Sequence, residues 1–136
     1  NVLTMSLKSI AIVLLVFLAA CRESSRQPSP DDVLYDEVMA IHDKVMPEMA
    51  TIHNLKKELQ ALRTPDSDSL ILARIKDLDD SDEAMMSWMH SFKVPDKSDA
   101  KKIYLEQEKD KISKVSEMIY RSMDQAKATI DSLQTK

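Results

Sequence analysis

All three histidines of this 136-residue chain, and six of its nine methionines, fall in two short stretches, Met39–His53 and Met85–His90. Imidazole nitrogen and thioether sulfur are donors suited to Cu(I), a soft ion that carboxylates and carbonyls hold poorly. Residues four apart share a helix face, so His42/Met46 and Met86/His90 each set an imidazole beside a thioether. The expected copper set is therefore His42, Met46, Met86 and His90, with Met49 and His53 as further ligands. The same stretches have a second use. Methionine is unbranched and adaptable, and a cluster of it suits a surface that grips another protein. On that reading Met39, Met46, Met49, Met85 and Met89 form an interaction face. A haem held by His and Met is a poorer third use, since the sequence has no CxxCH attachment motif.

Helices must position these residues. Ser29-Pro30-Asp31-Asp32 combines a Ser N-cap, Pro at the first helical position and acids in the first turn. Leu34, Val38, Ile41, Val45, Ile52, Leu55, Leu59 and Leu62 then recur at alternating intervals of four and three, a heptad seam interrupted at Glu48. Thr64-Pro65-Asp66-Ser67 ends this helix and starts another, with its seam expected at Ile71, Ile75, Leu78, Asp82, Met85, Met89 and Phe92. Val94-Pro95-Asp96 breaks the chain again, with Asp96 as the expected N-cap. The third seam runs Leu105, Ile112, Val115, Ile119, Ser122, Ala126, Ile130 and Leu133.

The expected fold class is all-α, with helices about 30–62, 67–92 and 97–134. Short connections make neighbours antiparallel, which gives an up-down-up, coiled-coil-like three-helix bundle over residues 30–136. Pro47 lacks an N–H and should kink the first helix. In a hairpin turning near Pro65, residues at one level have numbers totalling about 130. His42 and Met46 then lie level with Met85 to His90, and Glu48 with Asp82. Such paired acids serve acid/base chemistry or a cation in some proteins. With no nucleophile or substrate cradle beside them, they read here as register-fixing polar positions. The acidic run from Asp77 to Glu83 lacks the glycine of a calcium loop and reads as a solvated face.

The chain contains no glycine. Backbone turns at positive φ and close approach to phosphate call for that residue, so P-loops, dinucleotide-binding turns, EF-hands and nucleophile elbows are all excluded. The expectation is a protein that is not an enzyme and has no cofactor, copper being the alternative. Interspersed charges with a net value of −4 leave no basic stripe for nucleic acid.

Met5 to Ser9 forms a short positive segment, Ile10 to Phe17 an apolar run, and Ala19-Ala20 a small-residue site before the only cysteine, Cys21. The apolar run is well short of the ~20 residues a spanning helix needs. Leu18-Ala19-Ala20-Cys21 resembles the lipobox of bacterial lipoproteins, which implies cleavage after residue 20 and lipidation of Cys21. The expected organisation is a signal peptide over 1–20, with Asn1 to Thr4 ahead of the true start. A lipidated tether over 21–29 and then the helical domain follow. Cleavage would remove one base, Lys8, and no acid, taking the net charge from −4 to −5.

Asp36 to Pro47 and Met85 to Phe92 resemble stretches of small Bacteroidetes lipoproteins commonly labelled "viral A-type inclusion protein". The resemblance spans most of the chain after Cys21 and implies a short helical lipoprotein, without assigning functional residues. The functional expectation is a membrane-anchored helical module of the cell envelope, on the outer membrane and facing the periplasm. It would bind an envelope protein or a second copy of itself. The alternative is a copper-binding or copper-handling lipoprotein.

Overall fold

Ser29 opens the first helix as the sequence leads one to expect. Its hydroxyl accepts from the Asp32 amide at 3.2 Å, and the Asp32 carboxylate accepts from the Ser29 amide at 3.1 Å, a reciprocal capping box. Residues 27–96 and 98–135 are described in this computed structural model. The expected signal segment 1–20, Cys21 and most of the expected tether lie outside them. Four helices follow one another: α1 Pro30–Val45, α2 Glu48–Ala61, α3 Asp68–Ser91 and α4 Ser98–Gln134.

The helix expected over 30–62 is thus two. Pro47 cannot donate to the carbonyl four residues back, so the ladder is interrupted there. The chain crosses the gap on tighter i→i+3 bonds, Met49 N to Met46 O at 3.2 Å and Ala50 N to Pro47 O at 3.3 Å. Met46 and Pro47 keep right-handed helical dihedrals, so α1 and α2 form one bent rod. At the α2–α3 turn, Ser67 is buried and its hydroxyl donates to Leu62 O at 3.2 Å, which ties the end of one helix to the start of the next. Asp96, expected as an N-cap, stands two residues ahead of α4.

Three rods pack together around residues that recur every seven positions. Val38, Val45, Ile52 and Leu59 line the first, Ile71, Leu78 and Met85 the second, and Leu105, Ile112, Ile119 and Ala126 the third, all of them buried. α1 and α3 each pack extensively on α4, whereas α2 touches both α3 and α4. Between α3 and α4 the bonded pairs are Arg74–Gln125, Ser81–Ser122 and Trp88–Glu108, so numbers rise on one rod as they fall on the other. Along α1, α2 and α4 they rise together, in Asp32–Lys101, Glu37–Lys109 and Glu58–Gln134.

The seam of α3 differs from the expected one. Ser81 and Trp88 are buried where Asp82 and Met89 were expected, and Arg74 rather than Ile75 reaches Gln125 on α4. Both spacings alternate three and four, and apolar character alone selects the other. Small size decides at the middle layer, where the Ser81 and Ser122 hydroxyls meet at 3.0 Å and let α3 and α4 approach closely.

The capping box gives the fold an acid-sensitive element. Hydrogen bonds from the Ser29 side chain and backbone hold the Asp32 carboxyl below its ordinary value of 3.8, with Lys101 adding a smaller effect. A carboxyl with a depressed folded value stabilises above its unfolded value, and the effect disappears as pH falls through the folded one. Ser29→Ala should lower unfolding free energy by about 1 kcal/mol at neutral pH. In urea melts the difference from wild type should shrink as pH drops below 3.8. A difference that stays constant to pH 2 would show that the carboxylate takes no part.

Candidate functional site

α1 and α3 approach each other through side chains more than through backbone, and large groups fill the space between them. From α1 come Tyr35 and His42; from α3 come Trp88 and Met89, with Phe92 capping its end. The Trp88 ring packs on Phe92 with centroids 4.9 Å apart, and Phe92 packs on Tyr35 and on Tyr104 of α4 at 6.2 and 6.0 Å.

His42 sits against this aromatic row, with its side chain 16% exposed and its ring 5.6 Å from that of Trp88. Its Nδ1 lies 2.8 Å from Asp43 Oδ1, and its Nε2 lies 3.2 Å from the Met89 sulfur. This 42/89 pairing agrees with a register in which numbers at one level total about 130.

Beneath the row lies a buried acid. Glu108 is 2% exposed and accepts from Trp88 Nε1 at 2.8 Å and from Lys111 Nζ at 2.7 Å. Each carboxylate oxygen therefore has its own donor, which offsets the cost of removing the charge from water. The hydrogen bond to Glu108, followed by its charge, holds the Lys111 ammonium above the usual lysine range. Glu108 was missed in the sequence. Its signal was the vacant heptad position between Leu105 and Ile112, the same kind of gap that drew attention to Glu48.

The sequence-predicted residues divide into three groups. Met85, expected on the interaction face, is fully buried in the core and cannot reach a partner. Met46, Met49 and Met89 are half-buried and packed against the core, and Met39 is half-buried. Met86 is 54% exposed, and His53 and His90 are also exposed. The imidazole–thioether contact of this face joins His42 to Met89, a residue expected in the interaction set and not in the copper set. Among the described residues, no three His, Cys, Asp or Glu side chains converge to hold a metal. Glu48 and Asp82 are both half-buried, and Asp82 lies off the seam it was expected to interrupt. The acidic run is ion-paired as a solvated face, Asp77 with Arg74, Asp79 with Lys56 and Asp80 with Lys76.

Grooves of about 570 and 670 Å³ lie elsewhere, one at the α2–α3 turn and the other along α4, and no histidine lines either. Compared with protein-family models, curated proteins and solved structures, the chain matches none.

The Trp88–Glu108 bond can be tested directly. Trp88→Phe removes one donor from a buried carboxylate and should cost about 1–3 kcal/mol in urea unfolding. Adding Glu108→Leu should recover part of that loss, because the stranded charge goes with it. Fully additive losses in the double variant would show that the two side chains are not coupled.

Proposed function

We propose that this chain is a membrane-anchored, non-enzymatic helical module of the cell envelope. In this reading it is an up-down-up, coiled-coil-like three-helix bundle that docks a partner protein, or a second copy, at the outer rim of the face where α1 and α3 meet. The observation that carries the reading is Met86, a large apolar side chain 54% exposed beside the half-buried Met89. Thioether surface is adaptable and suits contact with another protein.

Membrane attachment rests on the lipobox-like Leu18-Ala19-Ala20-Cys21, which lies outside the described residues. Among the described residues, no helix is long and apolar enough to cross a membrane. Acyl chains on Cys21 would supply the attachment instead, with the domain facing the periplasm from the outer membrane. The resemblance to small helical lipoproteins supports the same reading.

Two measurements test it. The intact protein should fractionate with membranes and incorporate labelled palmitate, and Cys21→Ser should abolish both. Recovery of Cys21→Ser in the membrane fraction would remove the lipid anchor. A photo-crosslinking residue at Met86 should capture a discrete partner or a dimer in cells. The same probe at Lys114, exposed on α4, should not. Equal capture from the two positions would count against a specific face. Met86 is the informative position, because Met46 and Met49 pack against the core and changing them would perturb the fold.

A further inference from the structure

The His42–Met89 contact has a chemical peculiarity. Nδ1 of His42 faces the acceptor oxygen of Asp43 at 2.8 Å, so in the neutral ring the proton belongs on Nδ1. Nε2 is then left with a lone pair, and it points at a thioether sulfur 3.2 Å away that also offers only lone pairs. A carboxylate holding one imidazole nitrogen protonated so that the other can donate is the arrangement that orients metal-ligating histidines. A soft cation between the nitrogen and the sulfur would satisfy both.

We propose that His42 Nε2 and Met89 Sδ form a Cu(I)-binding site between α1 and α3, with the thioether of Met86 closing over the ion as third ligand. The donor chemistry selects the ion. Imidazole and thioether suit Cu(I), and the nearest carboxylate, Asp43, is engaged by the ring nitrogen that does not face the sulfur. The geometry accommodates it. With metal–nitrogen and metal–sulfur bonds of about 2.0 and 2.3 Å, a separation of 3.2 Å gives an N–Cu–S angle of roughly 95°. The ion therefore sits to one side of the N–S line, with room for another donor. Met86 lies one turn before Met89, and its exposed side chain is not committed to the core. Three rotatable bonds allow its sulfur to swing inward.

Trp88 completes the surroundings. Its ring packs on His42, and the conjugated faces hold the imidazole in place. This set differs from one based on helical spacing alone, because His90 and His53 take no part. Binding moves no electron, and the proposal does not rest on the face docking a partner.

Trp88 is the only tryptophan in the chain, so its emission reports on the site. The experiment is an anaerobic titration of the purified full chain with Cu(I), and with Ag(I) as a redox-inert stand-in. It follows Trp88 fluorescence together with competition against a chromophoric Cu(I) chelator. Quenching should end at one equivalent. His42→Phe and Met89→Leu should each weaken binding by more than about tenfold, and Met86→Leu by about tenfold. His53→Gln and His90→Gln should bind as wild type. Asp43→Asn, at an exposed position that does not threaten the fold, should weaken binding by about 10- to 100-fold through the orientation of the ring. Circular dichroism establishes that each variant is folded. The proposal is overturned if wild type fails to compete with the chelator, or if His42→Phe and Met89→Leu bind unchanged. It is equally overturned if the loss of His90 abolishes binding, since the ligands would then be a different set.

Discussion

The hydrogen bond from Trp88 to the buried Glu108 decides which way α3 faces, and the rest of this end of the molecule follows. A carboxylate 2% exposed carries a penalty of several kcal/mol unless donors meet it. Lys111 can reach it from its own helix, and the second donor comes from the indole of α3. With Trp88 turned toward α4, Ser81 and Arg74 come to the same side at seven-residue intervals. Met89 is carried round to face His42, and Met86 is left at the rim.

The alternative rotation, which apolar character favours, would put Asp82 in the seam. An aspartate there would need a cation or several donors. Serine needs neither, because Ser81 and Ser122 each donate to the carbonyl three residues back in their own helix, at 2.8 and 2.9 Å. Each hydroxyl is thereby satisfied within its own helix, and the two oxygens lie 3.0 Å apart across the interface, where either can turn its single proton to the other instead. A layer of serines thus allows close helix packing without a buried unsatisfied group, which an aspartate layer would not.

Much of the architecture was legible because it rests on short-range rules. The Ser29 cap, the breaks at Pro65 and Pro95, and the seven-residue recurrence on α1, α2 and α4 are written in adjacent or evenly spaced residues. Pro47 was legible as a kink, although the break divides the helix in two. The rotation of α3 was not legible, because two registers fit its spacing and the choice depends on Glu108, twenty residues further on. That error carried into the candidate site. Helical spacing grouped Met86 with His90, but His90 lies on the exposed side, and the partner of His42 is Met89. The level at which α1 meets α3 was read correctly, because it depends on the position of the turn and not on rotation about the axis.

Met86 links the two uses proposed for this face. As an exposed thioether it is the natural anchor for a docked protein, and as the neighbour of Met89 it is the natural third donor to an ion. One side chain cannot do both at once. A partner that covers Met86 keeps its sulfur from swinging inward, and an ion that recruits the sulfur withdraws apolar surface from the partner. Such coupling is reciprocal, so each ligand weakens the other by the same factor. His42 and Met89 also sit on different rods that approach mainly through side chains. An ion bridging them would therefore stabilise the folded arrangement in proportion to its affinity, whereas a partner held at the rim alone would not draw α1 and α3 together.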